Sequence, residues 1–174
     1  MSPQDDPAIG LLDQIARTPT IMGPLGVILD RVMRKLRAGT ATMAWETVPL
    51  ATFDAVLPSS IASCWVFVIR ADADTGPERH PNSHQRSLSL VGQGEFQLWS
   101  GRGWESHPLT SAPGEAVDRR WVSIPPFTWH RLFVGASPWG MVSFHTVPAA
   151  DLVEEKPLVP DDLDGLTSRH AYQG

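Results

Sequence analysis

Apolar positions fall into two regimes along the chain. Between residues 7 and 38 they recur at helical spacing. "PAIGLLDQIAR" sets Ile9, Leu12 and Ile15 about a turn apart, and Pro7 suits a first helical turn. "VILDRVMRKLRAG" places Val27, Ile28, Val32, Met33 and Leu36 on one stripe, with Gly39 suited to end the helix. The intervening "TPTIMGPLG" reads as an interruption between two helices. From residue 40 the pattern shifts to short alternating or wholly apolar runs: "TMAWETVPL", "SCWVFVIRA", "SLSLVGQGEFQLWS", "GWESHPL", "RRWVSIPP", "HRLFVG" and "WGMVSFHTV". These read as strands, and "GQG", "SGRG", "SAPGE" and "GASPWG" as the turns between them. Strands at this spacing predict an all-β sandwich or barrel.

The predicted organisation is therefore a helical extension over residues 1–39, a β-barrel over 40–148 and, over 149–174, an acidic proline-rich tail packed on the barrel or on a partner subunit. One domain suits 174 residues, and 42% hydrophobic residues suffice for a buried core. The net charge of −5 argues against a nucleic-acid partner, which would require a basic face. Arg31, Arg34, Lys35 and Arg37 read as the solvated face of a helix, placed near the C-terminus where its dipole favours cations. Cys64 is the one cysteine and sits in an apolar run, so no internal disulfide forms and a buried, inert thiol is expected. No signal-peptide pattern opens the chain and no apolar stretch approaches a membrane span, which points to the cytoplasm.

The candidate chemistry lies in "ERHPNSHQ", residues 78–85. If this stretch is extended, side chains alternate faces, and Glu78, His80 and His84 point the same way. Imidazole and carboxylate donors of this kind suit Fe, Mn, Ni, Cu or Zn. A further imidazole, His130, closes "IPPFTWH", where a proline pair gives a rigid turn before a strand. Arg86 lies two positions beyond His84 and, sharing its face, could clamp a substrate carboxylate. His145, in "SFHTV", reads as a structural histidine or as one that supports metal ligands from behind.

These two stretches resemble the motifs of the cupin superfamily, small double-stranded β-helix barrels. Its first motif runs G-x5-H-x-H-x(3,4)-E-x6-G and its second G-x5-P-x-G-x2-H-x3-N. In "ERHPNSHQRSLSLVGQG", Glu78 takes the first histidine slot and His80 the second. The glutamate slot falls on His84 or, one residue later, on Gln85, which leaves six residues before Gly92. In the second stretch Pro125 takes the proline slot and His130 the histidine slot, while Phe127 replaces the glycine and Val134 the asparagine.

The resemblance spans roughly residues 60–147 and implies a jelly-roll barrel of the cupin type with a small-molecule site inside. It implies a divalent transition metal, Fe(II) foremost with Zn, Mn or Ni as alternatives, held by Glu78, His80, His84 and His130, with Gln85 as the alternative third ligand. It further implies a non-haem Fe(II) dioxygenase, with a metal-dependent isomerase or lyase and a metal-free binding protein as the other readings. Arg86 would contact substrate, and a homodimer is the expected assembly.

Overall fold

The structure is a computed structural model describing residues 3–53 and 56–171. The first two residues of the expected extension and the last three of the expected tail lie outside the described residues. Helix α1 (Pro7–Ala16) starts where the Asp6 carboxylate accepts the Ala8 N–H at 3.1 Å, a side-chain N-cap. Helix α2 (Pro19–Ala38) begins at Pro19, not at Val27 as the sequence pattern suggested. Pro19 sits at the first helical position, where no N–H is needed. Pro24 forfeits one hydrogen bond inside the helix. Against that, Ile21, Leu25, Ile28, Val32 and Leu36 form a single buried stripe, and Val27 falls outside it, 59% exposed.

Eight strands form the barrel: β1 (Met43–Thr47), β2 (Ser63–Ile69), β3 (Gln85–Val91), β4 (Gln93–Trp99), β5 (Trp104–Thr110), β6 (Trp121–Ile124), β7 (His130–Val134) and β8 (Trp139–His145). They pair antiparallel as a five-stranded sheet, β1-β2-β8-β3-β6, and a three-stranded sheet, β5-β4-β7. The chain passes between sheets at Gly92, whose φ of 81° favours glycine and where a Cβ would meet the Pro138 carbonyl oxygen at 2.8 Å. The acidic segment expected to be a tail folds on itself as a hairpin, β9 (Val153–Pro157) with β10 (Thr167–Ala171).

Strand alternation divides the core in two. One set of side chains, including Phe96, Ile124, Leu132, Trp139 and Met141, packs inside the barrel. The other, including Cys64, Val66, Val68, Leu88, Trp121 and Phe144, packs against the stripes of α1 and α2. Cys64 is buried, as expected of it, and burial pushes its thiol pKa well up. Asp13 of α1 fastens the helices to the sheet, lying 2.7 Å from the Arg120 guanidinium and accepting the Trp121 indole N–H at 2.8 Å. The result is a jelly-roll β-barrel of cupin type with its N-terminal helices laid on the outer face of the larger sheet.

Candidate metal and ligand site

Glu78 and His130 are brought together by the backbone. They form an antiparallel bridge in which Glu78 N–H donates to the His130 carbonyl at 2.9 Å and His130 N–H donates to the Glu78 carbonyl at 2.8 Å. This pairing puts neighbouring side chains on one face, and Glu78 Oε1 lies 3.5 Å from His130 Nε2. His80 joins them, its ring centroid 5.4 Å from that of His130. The donor atoms of Glu78, His80 and His130 all lie within 4.8 Å of one another.

The tautomers of both imidazoles follow from their partners. A carbonyl only accepts, so His80 Nδ1–H donates to the Val153 carbonyl at 3.0 Å and His130 Nδ1–H to the Thr128 carbonyl at 3.1 Å. In its neutral form each ring then carries its lone pair on Nε2. His130 Nε2 is buried and has no hydrogen-bond partner among the described residues. His130, held through Nδ1 by a backbone carbonyl with Nε2 unpartnered, is arranged as a metal-ligating histidine is, and the His80 ring is held through Nδ1 in the same way. The donor set thus fits a divalent transition metal.

The turn before His130 places it. Thr128 N–H donates to the Pro125 carbonyl at 3.2 Å, Pro126 occupies the second turn position, and Phe127 in the third has φ 64°. This is the pattern of a type II turn, whose third position normally requires glycine. The glycine slot of the second motif is therefore kept in backbone conformation though lost in identity. Phe127 N–H donates to the His80 carbonyl at 3.1 Å, tying the two ligand-bearing segments together.

His84 does not join the cluster. Residues 81–82 form a turn, so the stretch from 78 to 84 is not one extended strand and the expected even-numbered face ends at His80. Gln85 and Ser143 line the cavity, while Leu88 packs toward the helices. His84 and Arg86 share a face, as expected, but it is the outer one. Ser123 Oγ–H donates to Asp6 at 2.9 Å, so His84 Nε2–H donates to Ser123 at 2.8 Å, while Arg86 donates to His84 Nδ1 at 3.3 Å. Both nitrogens of His84 are thereby used. Arg86 Nε donates to Asp6 at 2.7 Å, so its guanidinium serves the helical extension and does not line the cavity. Burial raises the Asp6 carboxyl, but the hydrogen bonds from Arg86 and Ser123 and the Arg86 charge outweigh it and hold the pKa low.

A cavity of about 340 Å³ opens onto the cluster. Trp45, Trp65, Phe67, Met43, Leu132 and Leu152 supply apolar walls, Ala41, Thr42 and Asp74 stand at its exposed end, and Glu78, His80, Gln85, Ser143 and His145 form its buried end. Lys156 of β9 also lines it, with Nζ 3.6 Å from Glu78 Oε2 and 3.2 Å from Glu154 Oε1. Burial raises the Glu78 carboxyl, yet the contact with His130 and the charges of His130, His80 and Lys156 bring its pKa down to about 2. Burial and the neighbouring His130 lower that of His80 to about 4, against the pull of Glu78. His145 is pushed well below the usual imidazole value by burial and by His80 and His130.

Two cavity residues escaped the sequence reading. Lys156 lies in the acidic segment, 78 positions from the residue it pairs with (156 − 78), and nothing local marks it. His145 was noted only as structural or supporting, but its ring stands edge-on to His80 with centroids 5.3 Å apart. The signal available was its odd-numbered place on an alternating strand, in step with Ser143.

No family model and no curated protein matches the chain. Among solved structures it is similar to an oxalate oxidase in complex with glycolate, at 16% identity and TM-score 0.48, covering 63% of this chain and 53% of that one. It is similar to CapF of Staphylococcus aureus, at 10% identity and TM-score 0.47, covering 63% and 29%. It is also similar to the Lactobacillus farciminis oxalate decarboxylase formate complex, at 12% identity and TM-score 0.48, covering 63% and 30%. The matched part of this chain thus spans about half of the oxalate oxidase and under a third of the other two. None of the described helices is long and apolar enough to cross a membrane. By the order and pairing of its own strands, the chain has the cupin fold that its two motifs resemble.

Proposed function

We propose that the chain is a metal-dependent cupin enzyme acting on a small organic molecule, and that it works as a non-haem Fe(II) dioxygenase. The observation that carries this reading is the cluster of Glu78, His80 and His130, two imidazoles and one carboxylate with donor atoms within 4.8 Å of one another. Two histidines and one carboxylate on one side of an ion, with the remaining positions open, are the ligand set of many non-haem iron oxygenases. An iron(II) ion held there would supply redox chemistry with dioxygen as oxidant.

The chain's own residues do the rest. Val153 and Thr128 carbonyls hold the two rings in the tautomer that offers Nε2. The contact with His130 chiefly, and the nearby Lys156 ammonium in addition, keep the Glu78 carboxylate charged. The apolar walls exclude water from the buried end and restrict how a flat substrate lies. A homodimer goes with this reading.

The test is oxygen uptake. Full-length protein reconstituted anaerobically with Fe(II) should consume O2 when supplied with a suitable hydroxylated aromatic or enolic compound, and His130→Ala should not. Turnover of such a compound by Zn-, Mn- or Ni-loaded protein with no O2 consumed would replace this reading with an isomerase or lyase at the same site.

A further inference from the structure

Gln85 and His145 are register partners on β3 and β8 and both line the buried end of the cavity. Gln85 is 5% exposed. Its amide NH2 donates to Ser87 Oγ at 3.0 Å and to Ser143 Oγ at 3.4 Å. Its Oε1 is buried and has no hydrogen-bond partner among the described residues. A buried acceptor left without a donor is costly, and in a native fold it calls for an explanation such as a missing ligand.

His145 offers a second acceptor beside it. Ser83 Oγ accepts the Thr146 N–H at 3.1 Å and has the His84 carbonyl, 3.4 Å away, for its own hydrogen. A hydroxyl has one hydrogen and two lone pairs. The lone pair that remains takes His145 Nδ1–H, 3.2 Å away, and leaves His145 Nε2 as an acceptor. His145 is not part of the three-residue donor cluster, so it stands next to that cluster without completing it. The aromatic residues Trp45, Trp65 and Phe67 line the same cavity.

We propose that Gln85 Oε1 and His145 Nε2 form an acceptor pair that recognises a hydrogen-bond donor on the substrate, so that the cavity selects a flat apolar molecule whose inner end carries a hydroxyl or amino group. The proposal rests on the reading of this cavity as the reaction site, and it removes Gln85 from the candidate metal ligands. The substrate's donor occupies the place that the lone Gln85 oxygen leaves open, next to the ring of His80, which keeps the donor-bearing end of the molecule against the cluster.

The test compares phenol, aniline and fluorobenzene, which share a ring and differ in the donor. The full chain is titrated with each, as purified and again after chelator dialysis, and binding is read from the tryptophan indole N–H signals. Phenol and aniline should bind about tenfold or more tighter than fluorobenzene in both preparations, the effect of about one good buried hydrogen bond. Gln85→Met and His145→Phe should each bring that ratio to within about twofold, leave fluorobenzene affinity little changed, and leave metal content as in the parent.

Equal affinity of the parent chain for phenol and fluorobenzene, which needs no variant to fold, would overturn the proposal. So would a folded Gln85→Met that keeps the preference, or one that loses metal. Metal content measured on the same samples separates the two readings. Donor preference without metal sinks only the metal enzyme, and metal without donor preference sinks only the acceptor pair.

Discussion

Glu78 and His130 exchange both of their backbone hydrogen bonds, at 2.9 and 2.8 Å, and this places Glu78 Oε1 3.5 Å from His130 Nε2. The carboxylate and imidazole at the centre of the proposed site are thus fixed by main-chain pairing across 52 positions of sequence (130 − 78), independent of any flexible loop.

That geometry makes the cluster cooperative. His80→Ala, His130→Ala and Glu78→Gln should each lower metal affinity by at least the roughly 10–100-fold that loss of a supporting partner alone costs in such sites. Isothermal titration with Zn(II) on the folded variants checks this, and a His130→Ala protein with parental affinity would contradict it.

His84 should behave differently. Its nitrogens serve Ser123 and Arg86 beside the helical extension, so His84→Ala should keep the metal affinity of the parent. Asp6→Ala should leave metal binding intact too but destabilise the fold by about 3–5 kcal/mol, because it strands the buried Arg86 charge. Urea unfolding with metal analysis on the same samples tests both.

Acid should weaken the metal-free fold early. His80 drops from an ordinary value of 6.5 to about 4 when folded, and His145 also falls well below it. The unfolded chain then binds more protons, so stability present above pH 6.5 is lost progressively as pH falls through 6.5 toward 4. Glu78, lowered from 4.5 to about 2, adds a second loss below pH 4.5. Melting temperature of chelated protein should therefore fall from pH 7 to pH 5, and His145→Phe should flatten part of that slope. A melting temperature constant over this interval would be the wrong result for these buried imidazoles.

Phe127 holds a backbone conformation with φ 64° while its ring is 62% exposed. Phe127→Gly should stabilise the protein by about 1 kcal/mol, the order of the left-handed penalty for a residue with a Cβ, partly offset by losing the ring beside Arg79. Thermal unfolding measures it, and a destabilised variant would mean the ring contributes more than the strain costs.

The eight barrel strands were legible as short alternating or wholly apolar runs bounded by turn residues, as in "SCWVFVI" and "WGMVSFH", which are buried on both faces. The start of α2 was not, because Pro19, Gly23 and Pro24 read locally as breakers while the buried stripe that overrides them depends on the sheet beneath. Glu78, His80 and His130 were legible as candidate donors from type and spacing, and the fold brings these three together. The placement of His84 was not, since the turn at Pro81 and Asn82 reverses the parity of every residue after it. Asn82 pins that turn through the distant Asp151 carbonyl and Val153 N–H, contacts that no local pattern reveals.

The most direct test of the central claim is elemental mass spectrometry of untagged, purified protein. The account predicts about one Fe, Mn, Ni or Zn per chain, with iron favoured, and its loss in His130→Ala. Less than about a tenth of an ion per chain, even after anaerobic reconstitution with Fe(II), would contradict it and leave Glu78, His80 and His130 as a polar lining of a metal-free binding cavity.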